Sequence, residues 1–382
     1  MSSTLQRQTG SHTSARRFRG VLKWLHLWLG LTAGMVLVVV ALTGTVLAFQ
    51  RELLLMAHPQ LASAKLPPVS TQGEALARIV EQWGPRGMRS ADLPSAKLPV
   101  WQVFFSGGER RYFDAVTGDL LLTRSKDNDW VLWLRDLHVH LLAGETGEEV
   151  LGVFGLIALF ILLSGLYLWW PRWRAWAASL RWYRGPPTRR WLSWHRSSGA
   201  LLFPMLLLVV ATGVAMVYNQ ATRTALRWTL DDGPEMVPPL PMPPTDQAID
   251  WSALLAAAEG HLAGGDLRRI ALPKKDDALV SIRARAAGEW HPNGRSVVWM
   301  DPYRLQAVQV YDATAQDLGG RMSDAIYPLH GGFVGGRAWQ WGVALTGLVP
   351  AFLLVSGFLF WRARRAGARA KGPEAGGQRP GN

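Results

Sequence analysis

The chain of 382 residues contains no cysteine. This excludes thiolate metal sites, iron–sulfur clusters, structural disulfides and covalently attached haem, so any metal must be held by His, Asp, Glu, Met or backbone oxygen. Charge is also scarce where hydrophobicity peaks. Charged residues make up 18% of the chain against 49% hydrophobic, and four apolar blocks stand out: Val21–Phe49, Val150–Trp170, Ser197–Tyr218 and Trp339–Trp361. Beyond the first turn of the first block, none contains an acidic or basic residue. Each is long enough to cross a hydrocarbon core of roughly 30 Å at about 1.5 Å per residue. Arg16, Arg17, Arg19 and Lys23 precede the first block as they would in a signal peptide. The run is longer than a signal h-region, so an uncleaved anchor is expected.

The positive charge is unevenly placed. Segments 1–24, 171–192 and 362–382 hold 17 Lys/Arg against one acidic residue, Glu374, leaving 24 basic against 27 acidic elsewhere. The net +13 is therefore a topology signal, and no nucleic-acid partner is expected. Both termini and the loop 171–192 are expected to face the cytoplasm, with two long segments on the far side. Tryptophans gather at the basic ends (Trp24, Trp28, Trp169, Trp170, Trp173, Trp191, Trp194 and Trp361), where amphipathic rings prefer to lie.

The chain is internally duplicated. His26 is followed by Gly30 at +4 and Gly44 at +18, and His195 by Gly199 and Gly213 at the same offsets. His138 is followed by Gly144 (+6), Gly155 (+17), Ser164-Gly165 (+27) and Trp169 (+31). His330 is followed by Gly336, Gly347, Ser356-Gly357 and Trp361 at the same offsets. Each half thus reads helix, outer domain, helix, and two halves of like orientation imply a pseudo-twofold axis along the membrane normal.

The expected architecture is an integral membrane, mainly α protein with two small α+β outer domains packed together. Its expected layout is a tail 1–20, span 21–49, outer domain 50–137, a pre-helix segment and span 138–170, and loop 171–192. Span 193–218, outer domain 219–329, a pre-helix segment and span 330–361, and tail 362–382 complete it. The first outer domain should hold a helix Gln72–Trp83 and strands Val100–Phe105, Arg110–Phe113 and Asp119–Thr123. The second should hold a helix Asp250–His261 and strands Leu267–Leu272, Ala278–Arg285, Ser296–Met300 and Ala307–Tyr311. Pro-rich stretches (Leu66–Pro68; Pro234 and Pro238–Pro244) read as lead-in linkers.

Topology pairs the repeated histidines. His26 and His195 begin spans one and three, whereas His138 and His330 precede spans two and four. One imidazole from each half near each membrane face suits haem iron, which takes axial ligands on opposite sides of a flat ring. Two b-type haems are therefore expected, and Gly30 and Gly199, one turn from a ligand, would clear the porphyrin edge. A gap of 27 residues would make a helix of about 40 Å, too long for one span, so His138 and His330 should lie in segments before their spans. Three other readings stay open. Small residues in spans can serve helix packing alone, a membrane-edge His can be merely interfacial, and Glu145, Glu148 and Glu149 could complete a zinc site beside His138. His140 is an alternative ligand to His138. His12, His58, His261 and His291 match nothing in the other half and are expected to be exposed.

Several stretches carry a resemblance: Trp24-Leu-His26 with Gly30 and Thr43-Gly44, Leu137-His138 with Gly144-Glu-Thr-Gly147, Ser164-Gly-Leu-Tyr-Leu-Trp-Trp-Pro171, Trp194-His195-Arg196 with Gly199, and Phe113-Asp-Ala-Val-Thr-Gly118. The chain resembles the PepSY-associated transmembrane family over nearly its whole length, and within it the ferric-siderophore reductases of ferrioxamine type. That resemblance implies a bacterial inner-membrane protein with periplasmic PepSY domains and two haems ligated by His26, His195, His138 and His330. It also implies that a periplasmic ferric siderophore is reduced to release Fe²⁺. The second outer domain departs from the Asp-x-x-Thr-Gly pattern, reading Asp301-Pro-Tyr-Arg-Leu305. No Gly-x-Gly-x-x-Gly fingerprint is present, so a membrane quinol or a separate cytoplasmic reductase is the expected donor. A siderophore permease is the main alternative, disfavoured because no span carries an ionisable residue near its middle. A membrane-anchored PepSY binding or peptidase-inhibitory protein is another, and it leaves the duplicated histidines unexplained.

Overall fold

A computed structural model describes residues 3–62, 65–230, 236–261 and 265–369, with side chains from residue 14 onward. Pro234 of the second linker, the side chain of His12 and the tail from residue 370 lie outside this description. The first half runs α1 (Ser3–Leu47), α2 (Gln50–Ala57), α3 (Val69–Trp83), β1 (Met88–Asp92), β2 (Val100–Phe105), β3 (Arg110–Asp114), β4 (Leu120–Arg124), α4 (Trp130–His140) and α5 (Gly144–Trp169). After the short α6 (Trp176–Ser179) come α7 (Pro187–Val217), α8 (Asn219–Leu230), α9 (Trp251–Glu259), β5 (Asp266–Ala271), β6 (Val280–Arg285), β7 (Ser296–Asp301), β8 (Gln306–Tyr311), α10 (Leu318–His330), α11 (Gly336–Thr346) and α12 (Val349–Arg369). The chain divides into two compact units, one of residues 1–45, 145–214 and 341–382 and the other of residues 46–144 and 215–340.

The first unit is helical. Four stretches are long and apolar enough to cross a membrane: Ser14–Leu47, Gly144–Trp169, Pro187–Val217 and Gly336–Arg369. Their outward residues are large and apolar, among them Met35, Val39, Leu163, Leu201 and Val355, the pattern of a surface solvated by lipid. All four begin earlier than the apolar blocks read from the sequence. Pro187 opens α7 at the first helical position, where its missing N–H is no loss, so part of the expected loop 171–192 is helix.

The fourth span is not one helix, as had been expected, because α11 and α12 meet at Gly347-Leu348. Pro350 has no N–H to offer the Thr346 carbonyl, and the turn tightens, with Leu348 N–H reaching Leu345 O at 3.1 Å. The Thr45 hydroxyl donates to Ala344 O at 2.8 Å across the helix contact, and a Cβ on Gly347 would lie 2.6 Å from Ala41 O.

The second unit is built on one antiparallel sheet of order β4-β3-β2-β1-β5-β6-β7-β8. The two expected α+β modules are thus two four-stranded meanders joined at a β1–β5 seam: Ser90 pairs Ala271, Ala91 pairs Ile270, and Asp92 pairs Arg269. Helices α3 and α9 pack against each other on one face, so tightly that a Cβ on Gly73 would overlap the Ser252 backbone. Leu76, Ile79 and Trp83 of α3, and Trp251, Leu254 and Leu255 of α9, share one core with Ala91, Val103, Ile270, Ile282 and Val298 of the sheet. Strand alternation supplies that face, as in β6, where Val280, Ile282 and Ala284 are buried and Ser281, Arg283 and Arg285 turn the other way.

The divergent turn keeps its geometry. Asp114 Oδ1 accepts from Val116 and Thr117 N–H, and Gly118 takes φ +77°. Asp301 Oδ1 likewise accepts from Tyr303 and Arg304 N–H, and Leu305 takes φ +55° in the place of the glycine.

Candidate functional site

His26 on α1 and His195 on α7 face each other within the first unit, with ring centres 6.3 Å apart and planes at 85°. What aims them is the Ser-Gly step at +27, which the sequence marked as part of the repeat, with helix packing as an open role for its glycine. Ser164 Oγ donates to Ile161 O at 3.0 Å and therefore accepts from His26 Nδ1–H at 2.9 Å. His195 Nδ1 lies 3.0 Å from Leu353 O, a pure acceptor, so that nitrogen must carry the proton; Ser356 Oγ lies 3.4 Å away. Both rings are thereby held as the tautomer whose Nε2 lone pair is available to a metal.

The glycines close the cradle. A Cβ on Gly165 would lie 3.0 Å from His26 Cε1, and one on Gly357 would lie 3.2 Å from His195 Nδ1. A signal for this existed: antiparallel spans bring the end of one to the level of the start of its neighbour, which is where the Ser-Gly steps fall.

In the second unit His138 and His330 also lie 6.3 Å apart between ring centres, with planes at 47°. His138 is on α4 and His330 ends α10, each in its own helix six residues ahead of a span, as the length argument required. The breaks that follow use left-handed backbone: Leu141 (φ +47°), Leu142 (φ +62°) and Gly144 in one half, and Gly332, Gly335 and Gly336 in the other. His140, the alternative ligand, turns instead to Asp136 Oδ1 at 2.8 Å. Burial works against the Asp136 carboxylate, yet the His140 hydrogen bond and Lys126 outweigh it and hold its pKa below the ordinary value.

The spacing fits a metal between two imidazoles. Bonds of about 2.0–2.1 Å on opposite sides of one ion, with each bonding nitrogen about 1.1 Å from its ring centre, put the centres roughly 6.3 Å apart. Among the described residues no group of three or more His, Asp or Glu side chains gathers around such a point. A group that brings its own equatorial ligands and asks the chain for two axial ones suits both pairs. Nothing lies within 4 Å of a Cβ built on Gly30, and one on Gly199 meets only Leu353 Cδ2 at 3.7 Å, so space exists beside both ligands where the sequence asked for it.

His261 is exposed and His58 half-buried, but His291 is only 8% exposed, contrary to expectation. It stacks on Tyr327 at 5.3 Å, which stacks on Phe333 at 5.3 Å, and its Nδ1 accepts from Asn293 N–H. Burial, with Arg295, Arg283 and Arg269 nearby, pushes its pKa down to about 3, so it is neutral at pH 7.

No curated protein matches the chain. A sequence-family profile described as the PepSY-associated TM region matches residues 23–364 and so takes in both histidine pairs, all four apolar spans and the whole sheet. The chain belongs to the PepSY-associated transmembrane family.

Proposed function

We propose that the protein is a di-haem oxidoreductase of the bacterial inner membrane. It takes electrons from the quinol pool or a cytoplasmic reductase and delivers them to a periplasmic ferric siderophore of ferrioxamine-like type, releasing Fe²⁺ for uptake. The observation that carries this reading is the 6.3 Å separation found in both histidine pairs, which suits two haems b, one that His26 and His195 would hold and a second that His138 and His330 would hold. Bound haem supplies a reversible one-electron couple, and the one-electron reduction of the Fe³⁺ substrate weakens its hard-oxygen chelation. The chain itself contributes position. Ser164 and the Leu353 carbonyl fix the tautomers of His26 and His195, while Gly165 and Gly357 set the depth of the rings.

The duplication supports a pseudo-twofold arrangement. Gly165 meets His26 as Gly357 meets His195, and Gly155 meets Val214 as Gly347 meets Thr45, Val214 and Thr45 both lying 19 residues beyond their histidines. In this reading the basic tails and the segment 171–192 face the cytoplasm, and the two PepSY-like halves of the sheet stand in the periplasm. An absorption spectrum of detergent-purified protein, expressed with ample haem, tests the proposal. Bis-histidine b-type bands that sharpen with dithionite, at two haems per chain, are the expected result. A colourless protein would favour a permease or a membrane-anchored binding protein.

A further inference from the structure

The second unit contains a basic cleft that the redox reading does not use. It lies between α8, the start of α10 and the sheet face opposite α3 and α9. Its lining brings together Arg223 and Arg227 of α8, Arg283 of β6 and Arg295, with Asp317 and Asp324 as the acidic residues. Charge placement at the membrane does not explain this cluster, because it falls in a part of the chain whose net charge is slightly negative.

Asp324 is shared. Its carboxylate lies 3.5 Å from Arg295 Nε and 3.8 Å from Arg223 Nη2, and it also accepts from Gln316 at 2.9 Å. The Nε atoms of Arg223 and Arg295 are buried without a hydrogen-bond partner among the described residues. The Arg283 side chain makes no ion pair or hydrogen bond among those residues, and it stands in register beside Arg269, whose charge is already matched by Asp92 at 2.5 and 3.0 Å. Burial first, and then Arg295 and Arg269, lower the pKa of Arg283, while Asp92 and Asp324 oppose the shift. The first turn of α10, with Gly319 and Gly320 on the lining, adds the positive end of a helix dipole.

We infer that this cleft binds a small oxyanion through carboxylate or phosphate oxygens, with Arg283, Arg295 and Arg223 as the principal donors. Guanidinium forks match such oxygens two at a time, and a bound oxyanion would satisfy the orphaned Nε groups. Asp324 is six residues from His330 on α10, about 9 Å along the helix.

The test uses full-length protein in neutral detergent and isothermal titration with citrate and with inorganic phosphate at low salt. Saturable binding is expected, weakened at least tenfold in Arg283→Gln and further in Arg283→Gln/Arg223→Gln. The His138→Ala/His330→Ala protein should bind equally well, which separates this inference from the haem assignment. Arg283→Gln should also melt at a higher temperature than the wild type without anion and gain less when citrate is added, whereas a residue with a purely structural role would lower the melting point. Nanodiscs of phosphatidylglycerol against phosphatidylcholine distinguish the source: arginine-dependent stabilisation by the anionic lipid, without citrate binding, identifies a headgroup as the oxyanion. Absence of arginine-dependent binding in every arm overturns the inference. So does binding that emerges only after Asp231, Asp232 and Glu235 are replaced by amides, because the chain's own acids would then hold the arginines.

Discussion

The two histidine pairs reach the same 6.3 Å spacing by different means. His26 and His195 sit inside long apolar helices, where each Nδ1 has a protein acceptor and each ring rests on a glycine. His138 and His330 sit in the last turns of short helices, followed by loops that need left-handed backbone. The first pair is aimed by side-chain and carbonyl contacts within a rigid lattice of spans. The second lies where two helices stop. The planes differ accordingly, at 85° and 47°. Loss of one contact should loosen the first pair, and the second should be sensitive to the breaks that follow it.

The largest effects come from the ligands themselves. His195→Ala should remove one haem and keep the other, and His330→Ala should do the converse, read as one haem per chain by pyridine haemochrome; His140→Ala should keep both. Retention of two haems by His195→Ala would refute its assignment. Next comes Gly165→Val, whose side chain would overlap the His26 ring and should weaken binding of that haem by more than tenfold, with no effect on the His138/His330 site. Ser164→Ala removes one partner of the His26 imidazole and should weaken haem binding by only about threefold, because the Ile161 backbone also hydrogen-bonds that ring. Ser356→Ala should cost only about threefold, because Leu353 O remains the partner of His195. A loss of a hundredfold or more in either serine variant would contradict this sharing of the imidazole between hydroxyl and carbonyl.

The smallest effect concerns a histidine that binds no metal in this account. His291 is held near pKa 3 in the fold against about 6.5 when unfolded, so the unfolded chain binds more protons between those values. Its stabilising contribution is present above pH 6.5 and is lost as pH falls, by at most about 1.4 kcal/mol per pH unit. Replacement by Phe should flatten the dependence of melting temperature on pH between 6.5 and 4 for the haem-free protein.

The pairing was legible in the sequence because duplication marks His26 against His195, and His138 against His330, without any coordinates. The core strands were legible too, since Val280–Arg285 alternates cleanly and Val100–Phe105 is a short run rich in β-branched and aromatic residues. Strand β1 was not, because Arg89, Ser90 and Asp92 give it a polar, turn-like reading; their justification lies in the neighbouring strand, where Asp92 meets Arg269. The interruption at Gly347 was hidden inside an unbroken apolar run, and only Pro350 hinted at it. His291 looked like an ordinary loop residue until Tyr327, 36 positions later, covered it. Contacts made across such sequence distances leave no periodic trace.

The β1–β5 seam acts as a gauge for the His138/His330 site. Each imidazole of that pair is delivered by a different half of the chain, and the halves share one continuous sheet. Slipping the seam by one residue would turn Ala91 and Ile270 out of the core, while slipping it by two would shift the halves by about 7 Å. Metal–ligand bonds tolerate errors of only about 0.2 Å. The doubly hydrogen-bonded Asp92 and Arg269 lock the one register that serves, so a bond between two strands sets the tolerance to which a distant pair of rings is machined.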